Sequence, residues 1–244
     1  MVLQGEDLEP HIKAFRERVI ANVVAQRTAD GRSDQWDLDQ LWKDLSTVYP
    51  MGLTVDEVVD GVGGLDALTS ERLAEELTED MAVAYEDAEA NLSANDLALA
   101  QLGEEPMRTL ERRLLLAVVD QHWREHLYEM DYLKEGIGLR AMAQRDPLVE
   151  YANEGAHMFK AMMDAIREDT IEQIFAYCAR FEAQAKQVAR EAAQAREQAS
   201  IMGDTGRKAL STGVTYSDAD TQGSDNQGNR AERRRRSNKK RRRR

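Results

Sequence analysis

The residues of this chain best suited to chemistry are two histidines and a glutamate in the stretch His122-Trp-Arg-Glu125-His126. Residues four apart share a helix face, so both imidazoles could bind one Zn²⁺ while Glu125 serves as general base. That chemistry would make the chain a zinc hydrolase. The pattern fixes only three positions, however, and it also arises by chance on a charged helix. The favoured interpretation is a structural pair of histidines, with zinc hydrolysis as the enzymatic alternative.

Loops that could bind a triphosphate are not found in the sequence. There is neither a Gly-x-x-x-x-Gly-Lys-[Ser/Thr] loop nor a Gly-x-Gly-x-x-Gly turn, and Gly61, Gly63 and Gly64 have the wrong spacing for either. We therefore expect that this chain alone holds no cofactor and neither binds nor hydrolyses ATP.

Charge is divided unevenly along the chain. The formal net charge is −12, yet residues 230–244 hold eleven Lys and Arg residues against Glu232 alone, a formal +10. Residues 1–229 therefore carry −22, and an acidic surface repels the phosphates that dominate nucleic-acid affinity. Polyanion binding is predicted for the tail alone, at Arg233, Arg234, Arg235, Arg236, Lys239, Lys240 and Arg241. Its partner is left open between anionic phospholipid, RNA or the ribosome, and none, the tail then only aiding solubility.

Composition points to long solvated helices. The 244 residues are 42% hydrophobic, 32% charged and 6% aromatic, with four prolines, which argues against a β-sandwich or barrel. The single cysteine, Cys178, allows no disulfide within the chain and suits a reducing cytoplasm. The longest apolar run, 114–119, is far shorter than the ~20 residues of a membrane span. No export signal opens the sequence, and the predicted fold is all-α.

Apolar spacing places the first helix from about Leu8 to Val24 and a set of shorter helices over 30–105. Within that set, Thr54 and Glu57 form a capping box, and a longer helix runs from about Thr69 to Leu92. The tryptophans are predicted to be core anchors, at Trp36, Trp42 and Trp123.

Two longer helices follow and are predicted to form an antiparallel hairpin. Pro106 suits the first position of one helix, and Gly136 and Gly138 weaken its end. Asp146-Pro147 then supplies a cap and a first-turn proline for the second helix, whose apolar stripe continues to Phe181. Residues 183–202 read as a solvated helix that frays, and 203–244 as a disordered linker with the basic tail.

Residues 120–155 resemble the C-terminal portion of the SecA family, the ATP-driven motors of bacterial preprotein export. The resemblance is carried, in order, by Trp123, His126-Leu127, Met130-Asp131, Leu133, Gly136-Ile137-x-Leu139-Arg140 and Ala143-Gln144-x-Asp146-Pro147. Upstream, Gly5-Glu6-Asp7-Leu8 and Trp42-x-x-Leu-x-x-x-Tyr49-Pro50 are also similar to SecA, in actinobacterial style. The resemblance covers roughly residues 1–182.

The resemblance implies an architecture and a set of working residues. Residues 1–29 would be part of the scaffold helix, 30–105 the helical wing domain, and 106–182 the rest of the scaffold with its two-helix finger. The loop of that finger would contact preprotein and channel through Leu139, Arg140, Met142, Gln144 and Arg145. Gly136, Gly138, Asp146 and Pro147 would be its hinge and loop positions.

The resemblance also implies a function. This part of the motor would relay the nucleotide state of motor domains that lie outside the chain, with their ATP and Mg²⁺, to the finger. Its partners would be those motor domains, the SecYEG channel and preproteins, with a homodimer possible in the family. The location implied is cytoplasmic, peripheral on the inner face of the cell membrane. A free-standing helical adaptor that binds anionic lipid or RNA through the tail is the non-enzymatic alternative.

The sequence departs from the family pattern at several points. The two nucleotide-binding folds and the preprotein cross-linking domain that precede this region are missing, and the uncapped start at Met1 suggests a fragment. The cysteine-rich zinc tail of many members is absent, so chaperone binding through it is not expected. Met142 stands where many members have tyrosine, and Ala152-Asn153 replaces a commonly basic pair.

Overall fold

The computed structural model describes residues 7–29, 31–140 and 146–211, without the side chains of 138–140 and 197–211. All regular secondary structure within these ranges is helical, which confirms the all-α prediction. In the described part of the chain, two short 3₁₀ helices, Ser33–Gln35 and Leu65–Ala67, accompany seven α-helices. These are α1 (Glu9–Arg27), α2 (Leu38–Val48), α3 (Val55–Gly61), α4 (Ser70–Ser93), α5 (Asp96–Leu102), α6 (Pro106–Arg140) and α7 (Pro147–Ser211). The chain divides into two units between Ala193 and Gln194, and the hydrophobic core belongs to the first.

Short polar side chains start the helices of the central segment, residues 31–105. Thr54 Oγ1 accepts the backbone N–H of Glu57 at 3.3 Å, and the Glu57 carboxylate accepts the N–H of Thr54 at 2.9 Å. This reciprocal pair confirms the predicted capping box before α3. The other three helices of the segment begin with a similar device, at Asp37, Thr69 and Asn95.

The predicted start of the second long helix is also confirmed. Asp146 Oδ1 accepts the N–H of Leu148 at 2.9 Å, and Pro147 is the first residue of α7. A carboxylate cap followed by proline at the first helical position satisfies backbone N–H groups that the helix itself leaves unpaired.

Two helix ends lie further along the chain than the sequence predicts. α6 continues through Gly136 and Gly138, so Leu139 and Arg140 are its last two residues rather than loop residues. α7 continues to Ser211, past the predicted start of the linker at residue 203. A helical glycine costs only about 1 kcal/mol relative to alanine, which does not end a helix that is already nucleated. Although α6 and α7 are 35 and 65 residues long, no helix in the described ranges is long and apolar enough to cross a membrane.

The core forms where α1, α4, α6 and α7 meet. α1 packs on α4 and α2, and α4 packs on α5 and α6. α7 joins this group through Phe175, whose ring centroid lies 6.0 Å from that of Tyr49 and 5.9 Å from that of Tyr85. The side chains that are completely buried include Ile20, Leu41, Leu45, Leu73, Leu77, Met81, Ile171 and Ile174.

Replacing Phe175 with alanine should lower the free energy of unfolding by about 3–5 kcal/mol, because it empties a site at the junction of three helices. Phe175 is only 5% exposed. Phe159→Ala is the matched control, since Phe159 lies on the same helix but is 47% exposed. Urea denaturation followed by circular dichroism measures both. Equal losses from the two substitutions would contradict this account of the core.

Candidate functional site

α6 and α7 pair as an antiparallel hairpin, as the sequence predicts. Among the described residues, contacts between the two helices include His122 with Asp169, His126 with Phe159, and Met130 with Gly155. As the residue number rises along α6, that of the partner on α7 falls, so the two helices run in opposite directions.

Burial divides this hairpin into two parts. The root is the part held in the core, where α6 is buried from Met107 to Val118 and α7 from Met162 to Phe181. The distal hairpin, residues 127–137 with 147–161, has no buried side chain among those described. Large apolar side chains are nevertheless exposed there: Leu127 (48%), Tyr128 (76%), Tyr132 (81%), Leu148 (75%), Val149 (53%) and Phe159 (47%). Such surface contributes little to folding and is typical of a contact site for another molecule.

A groove of about 670 Å³ runs along the distal hairpin. Its walls come from both helices, with aromatic, aliphatic and thioether side chains beside two carboxylates: Tyr128, Glu129, Tyr132, Leu133, Gly136, Glu154 and Met158. A surface of this composition suits an apolar chain segment that carries positive charge.

A side chain of α6 packs closely against α7 at Gly155. A Cβ atom at this position would lie 3.1 Å from Cε and 3.6 Å from Sδ of Met130. Glycine therefore lets the Met130 side chain lie against the backbone of α7. This contact fixes the spacing of the helices beneath the groove.

The predicted finger residues that the structure describes lie at or near the ends of α6 and α7. Leu139 and Arg140 end α6, Gly136 borders the groove, and Gly138 lies within α6. Asp146 and Pro147 begin α7 on the other side of the tip. Met142, Gln144 and Arg145 fall outside the described residues, as do the predicted tail residues Arg233 to Arg241.

The histidines of the zinc motif have other partners. His122 Nε2 lies 2.6 Å from Asp169 Oδ2, while its Nδ1 is 4.0 Å from Glu125 Oε2. His126 is 6% exposed, and its ring packs at 6.0 Å from Trp123 and 5.9 Å from Phe159. Catalytic zinc takes three protein ligands, and no group of three or more potential ligands is found among the described residues. The two histidines instead join α6 to α7.

The prediction that all three tryptophans are core anchors is wrong for Trp123. Trp36 and Trp42 pack against the core, and Trp42 Nε1 donates to the Leu53 carbonyl at 2.9 Å. Trp123 is 46% exposed on α6. Its helical spacing from Val119 and Leu127 marks an apolar face, but those residues are also exposed.

A buried polar network at the root was not predicted from the sequence. Glu111 is completely buried, and Tyr85 Oη donates to its carboxylate. Arg108 Nη1 lies 3.0 Å from Glu111 Oε2, while its Nη2 donates to Glu89 at 2.8 Å. The Arg16 guanidinium lies 4.0 Å from the centroid of the Tyr85 ring. We call these five residues the root network; it connects α1, α4 and α6.

Burial governs the electrostatics of the root network. Loss of hydration raises the pKa of the Glu111 carboxyl, while the Tyr85 hydroxyl and the Arg108 charge oppose that rise. Burial, together with the nearby Glu111 charge, also raises the pKa of the Tyr85 hydroxyl, which therefore stays protonated as the donor. The available sequence signal was Glu111 itself, a charged residue four positions after Met107 on the apolar stripe of α6.

The fold is that of an all-α scaffold protein. Its long helices carry an inserted set of short helices and a projecting hairpin. Residues 1–178 match the SecA Wing and Scaffold domain, and the chain therefore belongs to that family.

Individual relatives agree with this assignment. The chain is 53% identical over 174 residues to the protein translocase subunit SecA of Kocuria rhizophila and 50% identical over 174 residues to that of Micrococcus luteus. It is 46% identical over 187 residues to the protein of the same name from Streptomyces griseus. These matches cover 71%, 71% and 77% of this chain but only 18%, 18% and 19% of the relatives. The chain thus spans less than a fifth of their length.

Replacing Gly155 with leucine should loosen the distal hairpin, because the new side chain takes the space occupied by Met130. Overpacking of this kind costs about 1–3 kcal/mol, which corresponds to a roughly 5–150-fold acceleration of amide hydrogen exchange in residues 127–137. Ala156→Leu, at an exposed neighbour, is the control and should leave exchange unchanged. If both variants exchange at the wild-type rate, the Met130–Gly155 contact does not fix the helix spacing.

Proposed function

We propose that this chain is the wing, scaffold and two-helix finger of a motor that drives preproteins through the SecYEG channel. The observation that carries the proposal is the distal hairpin, which exposes Tyr128 and Tyr132 far from any core contact. Its relatives are named protein translocase subunits, which supports the same role. In this proposal residues 30–105 are the wing, and 1–29 and 106–182 are the scaffold with the finger.

The hairpin is suited to act as a lever. α6 is continuous from the root to Arg140, and the 22 residues after Val118 extend roughly 30 Å at 1.5 Å per residue. A rotation of roughly 10° at the root therefore moves the tip by about 5 Å. ATP hydrolysis in motor domains outside this chain would supply the rotation, and the tip would pass it to the preprotein.

The side chains of the distal hairpin suit a partner of variable sequence. Tyrosine offers an apolar ring with a polar end, and methionine adapts its three rotatable bonds to different neighbours. Tyr132 and Met158 border the groove, and Met142 occupies the finger loop in the sequence. Contacts of this kind grip a peptide without selecting one sequence. The motor would work on the inner face of the cell membrane, where the channel opens.

Met142→Asp or Tyr132→Asp, introduced into a complete motor that carries this chain, should reduce preprotein transport. Loss of a contact worth about 1–2 kcal/mol corresponds to a roughly 5–30-fold effect. Basal ATP turnover and folding should persist, since surface substitutions usually change stability by less than about 0.5 kcal/mol. Transport into inverted membrane vesicles and ATP hydrolysis measure the two effects.

Val188→Asp is the matched control, because Val188 is 60% exposed on α7 beyond the root. It introduces the same charge and should leave transport intact. Normal transport by both hairpin variants would place the working surface elsewhere. A melting temperature lowered by several degrees would instead show that the substituted residue supports the fold.

The contrast of charge along the chain favours a second binding activity. The +10 tail, residues 230–244, follows a segment that carries −22. Each Lys or Arg near an anionic membrane contributes about 1 kcal/mol, so the tail alone could hold the motor at the lipid surface. Membrane binding by the tail is compatible with a role in transport. It is also the only activity that a free-standing helical adaptor, the non-enzymatic alternative, would need.

Deleting residues 230–244 should abolish binding to vesicles that contain anionic lipid. Binding of the intact chain should weaken as salt rises, because ions screen the tail over a Debye length of about 8 Å at physiological strength. Vesicle co-sedimentation with and without added RNA measures the affinity and shows which polyanion is preferred. Equal binding by the truncated chain would disprove the tail hypothesis.

A further inference from the structure

Buried polar atoms without a hydrogen-bond partner are concentrated at the root of the hairpin. Among the described residues six such side-chain atoms occur, and five of them belong to α1 and α6. His126 Nδ1 lies further along α6, and the other four lie at the root: Arg16 Nε, Arg108 Nη1, Glu111 Oε2 and Arg112 Nε. Buried polar groups in folded proteins are nearly always paired. At the root, by contrast, no protein group forms a hydrogen bond with these four atoms, so side chains and backbone satisfy the polar groups there only in part.

The contact between Arg108 and Glu111 shows the same feature. Their nearest atoms, Nη1 and Oε2, lie only 3.0 Å apart. Both atoms nevertheless lack hydrogen-bond geometry, so the charges attract each other without forming a well-aligned bond. Arg108 is meanwhile shared with Glu89 on α4. Small rotations of α6 against α4 would change which carboxylate Arg108 aligns with.

Groups from every helix at the root face Glu111. Tyr85 and Glu89 lie on α4, Arg108 precedes Glu111 on α6, and Glu9 of α1 adds a repelling charge. From α7, Cys178 is also close: burial raises the pKa of its thiol to about 12, and the Glu111 charge contributes to that rise. Apolar packing surrounds this polar centre, with Leu110, Leu114 and Phe175 all buried.

We propose that the root network is a polar joint with two arrangements of similar free energy, which allow the distal hairpin to change its angle to α4. Rearrangement of a partly satisfied polar network costs little free energy, whereas a packed apolar interface resists rotation. In the proposed function this joint is the pivot of the lever. Its biological purpose therefore rests on the proposed function. Its existence is testable in this chain alone.

Spin labels on α4 and α6 test the joint directly. Val83 and Tyr132 are 59% and 81% exposed and can be replaced by cysteine in a Cys178→Ala background. Pulsed electron paramagnetic resonance should show two distance populations. The triple variant Tyr85→Phe/Arg108→Met/Glu111→Leu removes the polar groups of three of the five residues in the root network and roughly keeps their volume, and such replacements of buried ion pairs often preserve stability. It should show one narrow population and an unchanged or higher melting temperature.

Tyr49→Phe is the matched control. Tyr49 is also buried, donates to Asp80 at 2.9 Å and contacts Phe175, but none of these three residues belongs to the root network. Its removal should leave both populations in place. A single narrow population in the wild-type network would overturn the proposal, as would two populations in a folded triple variant.

Tyr85→Phe alone provides a second measurement, because it removes one hydroxyl and should fold even if the triple variant does not. It should change the ratio of the two populations at least twofold, and an unchanged ratio would contradict the proposal. In a complete motor the triple variant should stop transport while ATP turnover continues. The spin-label distances are measured in this chain alone, without the motor domains. A negative transport result would therefore contradict the proposed function but not the two arrangements of the joint.

Discussion

The structure depends on how much of the apolar face of α7 the other helices can cover. A helix in water gains most of its stability from packing of one face, not from intrinsic propensity. Among the described side chains of α7, the buried ones all lie between Met162 and Phe181, where α1, α4 and α6 cover the helix. Within that stretch Ile171 and Ile174 are fully buried, and Phe175 contacts rings from two parts of the central segment. The core, the placement of the central segment and the root of the hairpin all follow from this one covered stretch.

The same constraint explains why a charged group is tolerated at the root. Glu111 lies on the covered face of α6, where desolvation disfavours the carboxylate and only Tyr85 and Arg108 compensate. An apolar residue would pack there at least as well. Because the surrounding leucines already hold α6 in place, the polar centre is free to determine orientation. Stability and geometry are thus controlled by different residues at one junction.

Sequence reasoning succeeded where the signal is local and failed where it depends on neighbours. Thr54 with Glu57, and Asp146 with Pro147, mark helix starts because each pair satisfies N–H groups within its own turn. Periodicity found the hairpin, since it needs only the apolar face of each helix. It could not tell that Trp123 is exposed and Glu111 buried, because spacing shows which face a residue shares but not what covers that face. The resemblance of residues 120–155 suggested a finger, but the extension of α6 to Arg140 became visible only in the structure.

The contacts along the hairpin change character from the root to the tip, and this order suits a lever. Near the root, His122 and Asp169 join the helices through a polar contact of 2.6 Å beside a packed core. Further out, the rings of His126 and Phe159 meet, and then the Met130 side chain lies against the backbone at Gly155. These last contacts are short, local and independent of the core, so they keep the two helices together as one rod. Since nothing else among the described residues holds the distal hairpin, its direction is determined at its root. In the proposed lever, these contacts would keep the rod rigid while its angle changes at the root.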